Sequence, residues 1–261
     1  MEKSDYMKRQ KSFHNDYATL YLVATPIGNL SDMTFRAIET LENVDFIYAE
    51  DTRVSGKLLK HFEITTKQNT YHDFNKEMKS DEILERLREG KNIALISDAG
   101  YPLISDPGYY LIREALKEDF NVVSIPGASA LLGALVVSGL VPHPFTFIGF
   151  LNSKETKRVK ELESHKDRKE TIIFYESPNR INKTIKSMYE VFGERDLVIA
   201  RELTKKFEEI IRGTTLSLID VTDIKGECVI VVSGKPNTIE ETNLTLLEEV
   251  EKYISEGDTS K

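Results

Sequence analysis

A chain of 261 residues, 40% hydrophobic and 30% charged, has the length for one large domain or two modest ones and the composition of an ordinary soluble protein. Its formal net charge of −8 excludes a broad, sequence-independent grip on nucleic acid, which needs many Lys and Arg contacts to phosphate, but leaves room for a local basic patch. The single cysteine, Cys228, excludes an internal disulfide and a cysteine-based zinc site, and no apolar run approaches the ~20 residues that span a bilayer, so a soluble cytoplasmic protein is expected.

Residues 1–17 are charged and show no apolar period, which predicts a mobile polar tail. Leu20–Val23, Val44–Tyr48, Asn92–Ile96 and Val122–Ile125 then read as short buried strands, and Phe35–Leu41, Ser80–Glu89 and Tyr109–Lys117 carry apolar residues at helical spacing. This alternation predicts a mainly parallel sheet covered by helices. A helix over Ala128–Gly139 runs into Val141-Pro142-His143-Pro144, where two prolines cannot continue it; a hinge here bounds a first α/β domain at 18–141. A second, 142–236, restarts with the strand Phe145–Phe150, a charged helix around Lys154–Ser164 and the strand Thr171–Tyr175. After Leu197–Ala200, closely spaced strands at Glu209–Arg212, Thr214–Leu218 and Cys228–Val232 predict hairpins and a mixed sheet. Residues 237–261 follow as an acidic amphipathic helix, Glu240–Tyr253, and a tip. The fold class expected is therefore α/β, two α/β domains, the first sheet mainly parallel and the second mixed.

Four loops leave the carboxyl ends of predicted strands in the first half: Ala24–Asn29, Ala49–Arg53, Ser97–Gly100 and Pro126–Ala130. Ligands bind at this edge of open α/β sheets, so glycines and polar residues gathering there point to a common site. Gly28, Gly100 and Gly127 allow close approach of backbone to a ligand, and an Asp such as Asp98 accepts bonds from a ribose, an amine or loop amides. Each loop alone reads as a turn, and Asp32 and Asp106 suit helix N-caps; only the joint placement favours a site. The dinucleotide and phosphate-loop fingerprints are absent, as are the nucleophile-elbow motif of serine hydrolases and any histidine spacing for a metal. In the second half, Ser177 and Pro178 suit the cap and first position of a helix, while Arg201–Glu208 holds an Arg-Glu pair and Lys205-Lys206, which suit either an anionic substrate or a solvated face.

Read in order, "LYLVATPIGNLSDMTFRAIETLENVDFIYAEDTR", "ALISDAGYPLISDPG", "SIPGASALLGALVVSGL", "FTFIGFL", "IIFYESPNRI" and "IARELTKKFEEIIRG" resemble the small-subunit ribosomal RNA methyltransferase I family of the tetrapyrrole methylase superfamily, from about Thr19 to Ser233. The resemblance implies two α/β domains with S-adenosylmethionine in the cleft between them, a homodimer, and 2′-O-methylation of a cytidine in the decoding region of 16S ribosomal RNA within the small ribosomal subunit. By motif it assigns the donor site to Pro26, Asp98, Ala99, Gly100, Ile104, Ser105, Ser129 and Ala130. Tyr101 stands where many relatives have Thr. The sequence ends at Lys261 without the basic C-terminal segment many relatives carry, so RNA contact is expected from Lys154, Lys157, Arg158 and Lys160, or from Lys3, Lys8, Arg9 and Lys11.

A ribose hydroxyl is a poor nucleophile when neutral, and a general base contributes about 10²–10⁴-fold. Asp51, Glu176 and Glu202 are the candidates: carboxylates at strand ends without an evident capping role, in no fixed order. Three other readings stay open. They are carbon or diphthine-type methylation on the same scaffold, a magnesium-dependent phosphohydrolase using Asp51, Asp98 and Asp106, and a catalytically silent ribosome-binding factor.

Overall fold

The computed structural model describes residues 9–12, 15–72, 76–104 and 108–236. Within them, β1 (Thr19–Val23), β2 (Phe46–Ala49), β3 (Gln68–Thr70), β4 (Ile93–Ile96) and β5 (Asn121–Ile125) pair in the order β3-β2-β4-β1-β5, all parallel. Helices α1 (Phe35–Asn43) and α2 (Thr52–His61) cover one face, where Ala37, Leu41 and Leu59 pack on Val23, Ile47 and Ile96. Helices α3 (Lys76–Arg88) and α4 (Tyr109–Lys117) cover the other, with Ile83, Leu87 and Leu111 on Leu20, Tyr48 and Leu95. Coverage on both faces explains why every residue of β4 is apolar and buried.

This layering fixes where a ligand can sit. β1 and β4 are neighbours, yet the chain leaves β1 toward α1 on one face and leaves β4 toward α4 on the other. The two loops diverge and open a crevice at their carboxyl ends. A two-way backbone pair spans its base: Thr25 N–H donates to Gly100 O at 2.9 Å and Gly100 N–H to Thr25 O at 3.0 Å. The cap of α1 is Thr34, whose hydroxyl accepts the Ala37 amide at 3.1 Å; Asp32, expected as a cap, ends a short 3-10 turn instead, and Asp106 lies outside the described residues.

The second sheet joins β6 (Phe145–Phe150), β7 (Thr171–Glu176), β8 (Asp196–Arg201), β9 (Glu209–Thr214) and β10 (Cys228–Val232) in the order β6-β7-β10-β8-β9. Only β6 and β7 run parallel, so this sheet is mixed. The strand expected at Thr214–Leu218 is a turn. Thr214 N–H donates to Ser217 Oγ at 2.8 Å and Ser217 N–H to Thr214 Oγ1 at 3.1 Å, so side chains take the bonds that a ladder would need. Helices α6 (Glu155–Glu163) and α7 (Ile181–Phe192) pack on one face through Leu162, Ile185 and Met188.

Helix α5 (Ala130–Ser138), which precedes the Pro142–Pro144 loop in sequence, packs on the opposite face of this second sheet, Ala134 and Leu135 against Ile173, Val198, Val229 and Val231. Ser129 occupies its N-cap without a side-chain bond. At its other end Gly139 turns the chain out, and the Arg212 guanidinium donates to the carbonyls of Ser138, at 3.2 Å, and Val137.

Two surface expectations meet specific geometry. Arg158, expected to face RNA, is buried: Nε donates to Ser187 Oγ at 3.1 Å and Nη1 to Ser153 O at 3.2 Å, tying α6 to α7, while Lys154, Lys157 and Lys160 are exposed. Of the N-terminal cations, Arg9 and Lys11 are exposed and Lys3 and Lys8 lie outside the described residues; between them the Gln10 side chain bonds both backbone groups of Val122 on the β5 edge, at 2.9 and 3.0 Å. The helix expected at Glu240–Tyr253 also lies outside the described residues.

Candidate active site

The carboxyl edge of the first sheet, the N-terminus of α5 and one edge of the second sheet enclose a cavity of about 880 Å³. From the first sheet come Ile27, Glu50, Asp98, Ala99, Gly100, Tyr101 and Ile104, and from α5 Ser129 to Leu132. The second sheet supplies Phe150, Tyr175, Glu176, Glu202 and Lys205 from the ends of β6, β7 and β8; β10 runs antiparallel to β7 and β8, so its start, with Glu227 and Cys228, reaches the same edge. Apolar side chains share the wall with five carboxylates, Glu50, Asp98, Glu176, Glu202 and Glu227.

Of the residues assigned from sequence, Asp98, Ala99, Gly100, Ile104, Ser129, Ala130, Glu176 and Glu202 line this one cavity. Pro26 lies one residue before the lining residue Ile27 and does not itself line it, and Ser105 lies outside the described residues. Asp51 sits beside the wall. Its carboxylate is the N-cap of α2, accepting Arg53 N–H at 2.8 Å, so it does have the capping role that the sequence did not reveal. Both its oxygens also hold the Arg53 side chain, and this hydrogen bonding lowers its pKa to about 2. Its backbone N–H donates to Asp98 Oδ1 at 3.2 Å, the loop-amide role expected of an Asp at this position.

Asp98 makes no ion pair among the described residues. Desolvation by burial raises its pKa from the ordinary Asp value, the Asp51 amide and Arg53 oppose this, and the neighbouring Asp51 charge adds to it. Glu176 is the reverse case, a buried and fully engaged carboxylate. Oε1 accepts Ser177 N–H at 2.8 Å and pairs with Arg180 Nε at 3.2 Å, and Oε2 accepts the Thr184 hydroxyl at 2.6 Å. Ser177 makes no side-chain cap for the 3-10 turn Pro178–Arg180; its hydroxyl, at 3.5 Å, turns with its amide toward Glu176 Oε1.

Glu202 Oε1 accepts Lys205 Nζ at 2.9 Å and the Glu227 N–H at 3.1 Å, and Lys205 also reaches Glu227 Oε2 at 2.8 Å. The Lys205 bond lowers the Glu202 pKa, and although burial opposes it, the two carboxylates raise that of Lys205. Gly226 makes this arrangement possible: at φ +79 it has no Cβ, and the Glu202 carboxyl occupies the place a Cβ would take. The Lys205 stem lies over Gly28 of the first half, where a Cβ would meet it at 2.5 Å. Tyr101 is accommodated by its hydroxyl, which accepts Gly127 N–H at 3.2 Å. Cys228 is a buried core residue whose thiol burial pushes up to about 11, and it also lines the cavity.

Sequence reasoning missed Glu50, hidden beside Asp51 in a loop it had singled out, and Gly226 and Glu227, whose places depend on strand order in the second sheet; Lys205, read as suiting an anionic substrate or a solvated face, lines the cavity. Among the described residues no group of three or more His, Cys, Asp or Glu side chains is arranged to hold a metal ion, and no helix is long and apolar enough to cross a membrane.

The family described as Tetrapyrrole (Corrin/Porphyrin) Methylases matches residues 19–219, from β1 to the turn after β9. The chain belongs to the tetrapyrrole methylase family. Within it, the protein named ribosomal RNA small subunit methyltransferase I from Bacillus subtilis (strain 168) is 50% identical over 266 residues, covering 98% of this chain and 91% of that protein. Its namesake from Halalkalibacterium halodurans is 48% identical, covering 98% and 92%. Solved structures share the tetrapyrrole methylase fold at low identity. Diphthine synthase superposes with a TM-score of 0.63 at 14% identity, covering 84% of this chain and 90% of that one. A cobalt precorrin-4 methyltransferase gives 0.58 at 18%, covering 82% and 94%.

Proposed function

We propose that the chain transfers a methyl group from S-adenosylmethionine to the ribose 2′-oxygen of a cytidine in the decoding region of 16S ribosomal RNA, on the assembled small subunit in the cytoplasm. The observation that carries this reading is the near-full-length identity, 50% and 48%, to proteins named for ribosomal RNA small-subunit methylation. The cavity supports it. Its volume of about 880 Å³ lies within the ~300–1,000 Å³ usual for ligand sites.

The residues present fit the donor. Asp98, a lining carboxylate without an ion pair among the described residues, suits a ribose hydroxyl or an ammonium. The first-turn amides of α5, which the Ser129 side chain leaves uncapped, suit a carboxylate. Ala99, Gly100, Ile104 and Ala130 give the apolar contact, Pro26 directs the loop that brings Ile27 to the wall, and Ser105 completes the assigned set. When bound, S-adenosylmethionine supplies an electrophilic methyl group on a positively charged sulfonium. The protein's own contribution is alignment of the acceptor oxygen, an effect worth up to about 7–11 kcal/mol, together with acceptance of its proton.

For that acceptance the three carboxylates now separate. Asp51 is committed to Arg53 and the α2 cap, and Glu176 has both oxygens engaged. Glu202 lines the cavity with Oε2 free of hydrogen bonds among the described residues, and Lys205 keeps it ionised; Glu202 is the base we assign. The same commitment of Asp51 weighs against a magnesium-dependent phosphohydrolase. A homodimer through α5 is supported by its outward face, where Leu132, Val136 and Val137 are exposed.

Mass mapping of 16S RNA from a strain lacking the gene, with and without the gene restored, tests the reading. A cytidine ribose methylated only on restoration is expected; identical RNA from both strains overturns it.

A further inference from the structure

Beside the cavity, an open groove of about 590 Å³ runs between Gly28, Asn29 and Leu30 on one wall and Thr204, Lys205 and Lys206 on the other. It adjoins the cavity, because Lys205 lines both. Two exposed groups stand here, Lys206 on the second wall and Phe207 next to it in sequence, at the groove's rim. The Lys206 ammonium has no carboxylate partner among the described residues, and four carboxylates of the same segment and its β10 neighbour are engaged elsewhere: Glu202 and Glu227 with Lys205, Glu209 with Arg201 at 2.6 Å, and Glu208 with Thr204 N–H at 2.6 Å. Phe207 is 67% exposed, and its ring contact is the Lys206 ammonium, 5.6 Å from its centroid.

The backbone that displays them is strained. Glu202 has φ +51 and Thr204 φ +68, a region a β-branched residue rarely enters, and the buried Thr204 Oγ1 has no hydrogen-bond partner. Such strain persists where the surroundings over-determine it, as the Glu208 bond and the Lys205 pairs do here, and it clusters at ligand clamps. A strained turn that leaves both its aromatic ring and its cation exposed draws no burial from either.

We propose that this groove receives the single-stranded RNA next to the nucleotide in the cavity, with a flanking base stacked on Phe207 and one backbone phosphate on Lys206. The proposal rests on the RNA methyltransferase reading above. Unpaired RNA is recognised by stacking its splayed bases on aromatic side chains, and every base offers a face for this. Leu30, 41% exposed on the facing wall, adds apolar surface to the groove. A single uncompensated lysine sets the register of the strand without conferring bulk affinity, which accords with a chain of net charge −8.

The test uses the full chain, small ribosomal subunits as methyl acceptor and, as a separate binding probe, a fluorescein-labelled 12-nucleotide single-stranded RNA with S-adenosylhomocysteine present. Phe207→Ala is expected to raise the KM for subunits and the Kd for the oligonucleotide at least fivefold, Phe207→Trp to restore both, and Lys206→Gln to reduce the salt slope of oligonucleotide binding by about 0.7. Donor affinity by calorimetry stays within twofold in all three variants. If the wild type methylates subunits while Phe207→Ala and Lys206→Gln leave KM, Kd and slope unchanged, the groove proposal is overturned and the methyltransferase reading stands. If the wild type methylates no subunit yet the variants still weaken oligonucleotide binding, the groove stands and the acceptor assignment falls. If neither transfer nor a variant effect is seen, both fall.

Discussion

Replacing Glu176 by Gln separates a scaffolding carboxylate from a catalytic one. The side chain is buried, and its two oxygens hold Ser177 N–H, the Thr184 hydroxyl and the Arg180 guanidinium. Gln keeps one acceptor oxygen but turns two charge-assisted bonds into neutral ones, a loss of about 1 kcal/mol each, and removes the charge facing Arg180. Removing one partner of a fully buried pair costs about 3–5 kcal/mol. Arg180 is 29% exposed and also donates to Leu151 O at 2.6 Å, so its share here is nearer ~1 kcal/mol. The sum, about 2–3 kcal/mol, corresponds to a fall in Tm of about 4–12 °C for a protein of this size. Thermal unfolding by circular dichroism reads the first quantity and tritium transfer to small subunits the second, with kcat expected to fall less than tenfold. A variant with unchanged Tm and a kcat lowered 100-fold would refute the reasoning and make Glu176 the base in place of Glu202.

Asp98→Asn should weaken donor binding without lowering stability at neutral pH. A carboxyl whose folded pKa lies above its unfolded value opposes folding above both and ceases to do so as pH falls below them, so the wild type should gain on the variant on acidification; calorimetry and unfolding at pH 4 and 7 read both effects. Gly100→Val should lower donor affinity more than Gly100→Ala, since both strain a residue at φ +78 but only Val adds branches where backbone meets the ligand; an unchanged affinity by calorimetry removes Gly100 from the site. Replacing Lys154, Lys157 and Lys160 together by Gln should raise the KM for small subunits and flatten its salt dependence. Arg158→Gln should instead lower Tm, because its guanidinium joins α6 to α7; a KM effect without a stability effect would return Arg158 to the surface.

Elements whose own pattern decides them were legible in the sequence. Tyr109–Lys117 and Phe145–Phe150 occur at the expected bounds, since an amphipathic turn repeat and an apolar run bounded by prolines and a loop are local signals. β3, Gln68–Thr70, was not read, because it is a short edge strand without an apolar residue. Helix α2 escaped notice because its cap, Asp51, looked like a site residue. The first-half wall of the cavity was readable from strand ends alone, for all parallel strands deliver their loops to one edge. The second-half wall was not: that the start of β10 lies beside the ends of β7 and β8 follows from antiparallel pairing between residues far apart in sequence, and no spacing announces it. Arg158 was misread for a similar reason, since its partner Ser187 lies 29 residues away.

The two ends of α5 meet different surroundings, Arg212 at one and the cavity at the other. A helix end carries roughly half a charge, felt mainly within its own terminal turn. In α5 the guanidinium covers the negative pole at Val137 and Ser138, while the positive pole at Ser129 has no side chain turned against it. What the cavity meets is the near, positive pole of α5. Its field is fixed in direction by the packing of α5 on β7, β8 and β10, it titrates at no physiological pH, and it adds positive potential at the one wall that the surrounding carboxylates do not supply.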